Sequence, residues 1–426
     1  MSRSHAAVAC ALTATLTAAT ALGSVTPSAT ASTTDKAGQV TTHFAFSASG
    51  FGTRAVGGEL PAGSGAIAYQ HVGCTDLAGR TKSNAVDQQP VPGLGELSAV
   101  KTRVWTTRHH GVVASHARQR IATLTLVDTL AGSIALTGIT SEVSAFHDAT
   151  GFHTTSTSTV GAITVTPLVG PVQTLAAPTP GHPLSIGGLV TLTAGATTSR
   201  TGSAGASATA YALTVDVGPT STHATLARAQ ATIAGGVEFG LFGGRSYATR
   251  VTALDDTLRS GPEPLTIMPC QGTGGRTRSS SVAHLGLAGQ VVVRGLRSRD
   301  RGSQTRARAH GYELGKVARL DLGDGAVVVD GIVGRAGVDR TRHGVVRTAR
   351  GTSVGTVTVN GQVTPFPDTG VIQVPGVATL HRRLVHKSRT GITVTALRIT
   401  LLDGSGAVID LGNAQLGIGK LLHPRH

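Results

Sequence analysis

Several groups of residues in this chain are of types that can do chemistry. The first is Gly351-Thr-Ser-Val-Gly355, which fits the G-x-S-x-G pattern of a nucleophile elbow. That chemistry needs Ser353 on a tight strand-to-helix turn, with an acid and a histidine later in the chain. Here a β-rich stretch follows, and the position that aligns with Ser353 in the first part of the chain is Thr159. In a Gly/Ser/Thr-rich sequence the match reads as chance, and no catalytic residue is assigned. His109, His110 and His116 have ligand chemistry, but metal binding needs imidazoles that converge, with carboxylates behind them. The aligned region has only His310, so the three read as a solvated basic loop. Asp255-Asp256 and the Asp-Gly turns at Asp324 and Asp403 lack the D-x-D-x-D-G spacing of a calcium loop and read as turn residues. Neither a metal nor a cofactor is expected.

Two features carry more weight. Cys74 and Cys270 form an even pair once Cys10 leaves with the leader described below. In an oxidising compartment they either bond to each other or fill the same buried slot in two separate domains, and both alternatives stand. One cysteine per domain, with no Cys or His at ligand spacing, does not make a zinc site. The second feature is a run of arginines, Arg294, Arg297, Arg299, Arg301, Arg306 and Arg308. It is a candidate anion-binding segment, suited to a wall polymer, a lipid surface or nucleic acid. The plainer reading is a solvated loop in an arginine-preferring sequence. The full chain has a net charge of +15, unevenly spread: residues 1–236 carry 12 Lys+Arg against 9 Asp+Glu, and residues 237–426 carry 25 against 13.

The elements that must position these residues come from a duplication. Phe46 to Thr81 lies over Phe242 to Thr277 at a constant offset of 196, with Phe46 on Phe242, Thr53-Arg54 on Thr249-Arg250 and Cys74 on Cys270. A repeat unit this long is a whole domain, not a solenoid rung. Register returns where Ile121-Ala-Thr-Leu-Thr-Leu126 matches Val317-Ala-Arg-Leu-Asp-Leu322, each followed by a turn and a second apolar strand, Ser133–Ile139 and Ala326–Ile332. Strand, turn, strand is a hairpin signal. Asn360-Gly361 is a favoured hairpin dipeptide. In Ile392–Leu401 the apolar positions change phase after Ala396, which predicts a bulge or strong twist. Thr225–Ile233 matches Asp410–Ile418, sharing Ala-Gln.

Thr, Val, Ala and Gly dominate, with 57 glycines, and no stretch offers an amphipathic helix of three turns. The fold class expected is all-β: two homologous β-sandwich-like domains of about eight to ten short strands each, with a β-solenoid-like alternative. Cys74 falls in a Gly/Pro-rich stretch, Ala62 to Gly95, that reads as loop. The domains run 43–236 and 237–420, after a polar lead-in at 32–42 and before a basic tail at 421–426. Residues 1–31 read as a secretory signal peptide: Arg3, an apolar run from Ala6 to Leu22, and the small-x-small site Ala29-Thr30-Ala31. No later segment reaches 18 apolar residues, so the mature chain carries no expected transmembrane segment.

At the matched blocks the sequence resembles the choice-of-anchor P proteins, secreted and surface proteins of actinobacteria. The resemblance rests on the Leu-x-Leu strand, Gly turn and Val-rich strand, on Thr352-Ser-Val-Gly-Thr-Val-Thr-Val-Asn-Gly361 and Val374-Pro-Gly-Val377, and on Ile392 to Gly404. It covers most of 317–418 and, more weakly, 121–233. It implies a surface or secreted protein and transfers no catalytic residues. No counterpart of the family's alternative C-terminal anchors is expected from these residues.

Together these features point to an exported, non-enzymatic cell-surface or matrix protein that contacts anionic envelope polymers, mainly through its second domain. The alternative is a secreted hydrolase of wall or polysaccharide substrates, which would need two carboxylates in one cleft. Specific nucleic-acid recognition is disfavoured because the arginines lack interleaved aromatics. A carbohydrate-binding module would want aromatic platforms, and the whole chain has one Trp, four Tyr and eight Phe.

Overall fold

A computed structural model describes residues 32–33, 38–57, 66–91, 93–129, 132–253, 258–259, 262–287, 291–404 and 406–420. The expected signal peptide, the 421–426 tail and the Asp255-Asp256 pair lie outside them. The described chain is all-β. Thirty strands form four separate antiparallel sheets, none closed into a barrel. Among the described residues no helix is long and apolar enough to cross a membrane. Sixteen strands lie within 32–234 and fourteen within 240–420, and no strand of one half joins a sheet of the other. The strands are more numerous than the expected eight to ten per domain, and the central ones are longer, up to 18 residues. Hydrophobic alternation marks only the core-facing stretch of each long strand, so its extended polar ends read as loop. Cys74 is one such case: it sits in the strand Gln70–Ala78, paired to Val40–Gly57. Part of the polar lead-in is also strand, with Ser32 and Thr33 paired to Ser83 and Lys82.

Alternating side chains explain each core. In the first half Leu97, Val100, Ile121, Leu124, Leu136 and Ile139 of one sheet pack on Leu192, Leu213, Val215 and Leu226 of the other. In the second half Val293, Leu296, Val317, Leu320, Val329 and Ile332 meet Leu380, Leu397, Ile399, Ile409 and Leu411. Each fully buried aliphatic side chain of this kind contributes about 1.5–3 kcal/mol. The hairpins expected at 121–139 and 317–332 form in equivalent registers: Ile121 opposite Ile139 and Leu124 opposite Leu136, Val317 opposite Ile332 and Leu320 opposite Val329. Across the closing strand pairs Phe46 faces Ile233 and Phe242 faces Ile418. The Asn360-Gly361 turn has both φ angles positive (48° and 79°), as a type I′ hairpin requires.

The change of phase after Ala396 has a local cause. Gly412, on the neighbouring strand, takes a φ of +61° and shifts which residues face the core. Ala227, its counterpart in the first half, does the same at +53°, as do Ala99 (+47°) and Gly295 (+62°), 196 residues apart. In the second half the sheets approach so closely here that a Cβ on Gly334 would lie 1.7 Å from the carbonyl oxygen of Gly412.

The halves meet at a disulfide. Cys74 and Cys270 are bonded, with Cα atoms 5.4 Å apart, beside Ala45, Val237 and Leu241. The connector between the halves is held by Gln304. Its Oε1 accepts from the backbone N–H groups of Glu238, Phe239 and Gly240, and its Nε2 donates to Gln271 O.

Candidate functional site

The arginine run lies on strands, not on a solvated loop. Arg294, Arg297, Arg299 and Arg301 belong to the strand Val291–Thr305, Arg306 to the tight turn after it, and Arg308 opens the return strand Arg308–Leu322. A strand sends alternate side chains to opposite faces. Here Val291, Val293, Leu296, Ser298 and Asp300 are buried, while Arg294, Arg297 and Arg301 are exposed and Arg299 half-buried. Gly295, at positive φ, resets the alternation so that both Arg294 and Arg297 face out. Arg294 stands opposite Arg319, and Arg297 opposite Lys316. Like charges directly opposite each other on a sheet are destabilising. An anion laid along this ladder relieves that cost. Arg319 has a partial partner in Asp330 at 3.5 Å. Arg308 is committed to Asp339, whose carboxyl it holds below the usual range by hydrogen bond and charge. Of the six candidate arginines, four therefore form one outward ladder, joined by Lys316 and Arg319. Arg335 lies over the Tyr312 ring at 4.6 Å on the same sheet.

The same face of the first half is also basic. Lys101 stands opposite Arg120, Arg103 opposite Arg118, and Trp105 opposite His116. Lys101, Arg103 and Arg120 are the offset-196 counterparts of Arg297, Arg299 and Lys316. His116 is thus in a strand rather than a basic loop, and is separated from His109 and His110, whose rings meet edge to face at a hairpin tip. Its ring stacks on Trp105 at 4.8 Å, with Arg103 and Arg118 5.0 and 5.9 Å from the indole. Its nitrogens bond Thr107 and Ser144 at 2.9 and 2.7 Å. Burial, helped by the nearby charges of Arg103 and Arg118 and opposed by Glu142, depresses its pKa to about 4. The imidazole is therefore neutral near pH 7. Sequence reasoning missed Lys101, Arg103, Arg120, Lys316 and Arg319 as members of one surface. The parity of each with the arginine run, once strands are paired, was the available signal.

The remaining reactive residues are held elsewhere. Ser353 bridges to Val333, with backbone hydrogen bonds of 2.8 Å in both directions, and no helix follows it. Asp324 lies in a turn at positive φ. Among the described residues no group of three or more His, Cys, Asp or Glu is placed to hold a metal ion.

Two carboxyls do face each other, but inside the second half. Asp300 pairs in register with Glu313, and both are fully buried. Arg278 grips Asp300 with two donors. Glu313 accepts a 2.7 Å hydrogen bond from Ser246 Oγ on the facing sheet, and its Oε1 has no partner. Burial drives the Glu313 pKa up to about 9. Ser246 opposes that shift and the neighbouring Asp300 adds to it. The first half has Val104 and Ala117 at the corresponding positions, and a different polar contact, Thr102 with Gln119, one step away. A polymer cannot reach this pair. No protein-family model matches the chain, and no curated protein is similar to it.

Proposed function

We propose that the chain is an exported, non-enzymatic surface or matrix protein, of the kind the choice-of-anchor P resemblance implies, that binds anionic envelope polymers along its basic sheet faces. The observation that carries this reading is the outward ladder of Arg294, Arg297, Arg299 and Arg301 with Lys316 and Arg319. Lys101, Arg103 and Arg120 repeat part of it in the first half, which supports a tandem duplication and widens the proposal from the second domain to both. A long polymer that engages both faces gains affinity from the fixed spacing of the two sites. Export is supported by the leader at 1–31 and by the disulfide, a bond suited to an oxidising compartment. Cell fractionation tests the address, and recovery wholly in the cytoplasm defeats it. Washing envelopes with about 1 M salt, where the screening length is ~3 Å, tests the electrostatics. Bound protein should be released, and retention contradicts charge-driven binding.

A further inference from the structure

On the opposite side of the second half from the arginine ladder, three strands line up a polar grid. Across Gly240–Ala253, Val408–Lys420 and Gly391–Leu401, Arg245 stands beside Gln415 and Thr393, and Tyr247 beside Asn413 and Thr395. The third row is Arg250, Asp410 and Arg398. These side chains line a shallow depression of about 190 Å³. Asp410 is 4% exposed and is held by Arg398 through two hydrogen bonds of 2.7 and 3.1 Å, with Arg250 at 3.6 Å. Three guanidiniums against one carboxylate leave the depression positive. Asn413, also 4% exposed, is oriented by Thr395, whose hydroxyl donates to its Oδ1 at 2.8 Å, and its Nδ2 has no partner. The Nε of Arg250 is likewise buried without an acceptor. Buried donors are normally satisfied, and leaving one without a partner costs about 1–3 kcal/mol. Two such donors in one positive depression call for an acceptor that the protein does not supply.

We infer that this depression is a binding site for a single oxyanion group, a carboxylate or a phosphate. Asn413 Nδ2 and Arg250 supply directed donors, Arg245 supplies charge at the rim, and Arg398 with Asp410 form a fixed frame. The first half lacks the site. Arg228 and Thr225 occupy the register positions of Asn413 and Asp410, and Arg228 donates to Gln230 at 3.0 Å and lies over the Phe51 ring.

The test is a titration of the ¹⁵N-labelled mature protein with inorganic phosphate, glucuronate and, as a neutral control, glucose. The Asn413 side-chain amide signal should move saturably with one or both anions and stay still with glucose. A response to phosphate alone assigns a phosphate-bearing ligand, and a response to glucuronate alone a carboxylate. Arg245→Gln, at an exposed position that leaves the fold intact, should weaken binding at least tenfold, and Asn413→Asp should abolish it. An Asn413 amide indifferent to both anions, or equal affinity in Arg245→Gln, overturns the site. Charge reversal at Arg297 and Arg299 should leave this titration unchanged, which separates it from the surface proposal.

Discussion

Glu313→Gln tests the placement of a carboxyl between the two sheets of the second half. Glu313 is fully buried and accepts a hydrogen bond from Ser246. Its folded pKa of about 9 stands well above the value near 4.3 of an unfolded chain. Below the unfolded value both states are protonated and the group does not weigh on stability. Between the two values the unfolded chain has released the proton and the folded protein has kept it, so stability falls by about 1.4 kcal/mol per pH unit. From about pH 4.5 to pH 7 that is on the order of 3 kcal/mol. Glutamine keeps the acceptor for Ser246 and cannot ionise. The variant should match the wild type near pH 4 and exceed it by roughly 3 kcal/mol at pH 7, with a flatter profile. The assay is urea unfolding from pH 4 to pH 8, followed by hydrogen exchange of the Arg308–Leu322 amides, because the only tryptophan, Trp105, reports on the other half. A variant whose stability runs parallel to the wild type across that range refutes the buried, protonated carboxyl.

His116 makes the opposite prediction on the acid side. Its folded pKa near 4 lies below the unfolded 6.5, so stability is complete above pH 6.5 and declines by about 3 kcal/mol as pH falls through 4. Trp105 emission should change with a midpoint near 4, and a midpoint near 6.5 would place the ring in solvent. The Cys74–Cys270 bond closes 196 residues of chain, for which loop entropy gives about 5 kcal/mol. The chain without residues 1–31 should take no thiol label until reduced and then two, with a clear drop in melting temperature; two labels without reductant exclude the bond. Gly334→Ala should destabilise by more than about 3 kcal/mol, because its Cβ would meet the Gly412 carbonyl and separate the sheets. Gly361→Ala, at positive φ with open space around it, should cost only about 1 kcal/mol. Equal costs in urea unfolding would contradict the close approach.

Much of the fold was legible because apolar alternation and the 196-residue offset are both local readings of the chain. The Ile121–Ile139 hairpin and the Phe46 and Phe242 closing strands follow from them directly. Cys74 and the arginine run read as loops because strand residues on the solvent face look like polar connectors, and because Ala99 and Gly295 interrupt the period at positive φ. The inward parity of Asp300 with Leu296 and Ser298 was readable, but a buried acid contradicts the expectation that charge lies outside. The grid around Asn413 had no local signature. Arg250, Arg398 and Asp410 come from three strands, and only their register brings them together.

The central claim is that the outward ladders hold anionic polymer by charge. The most direct measurement is retention of the purified mature protein on an immobilised anionic wall polymer across a salt series. The comparison is the wild type with Arg297→Glu/Arg299→Glu, Lys101→Glu/Arg103→Glu and all four changes together. Either pair should lower the salt concentration needed for release, and the four changes together should abolish retention while leaving the unfolding profile intact. Equal retention of the wild type and the fourfold variant would contradict the account.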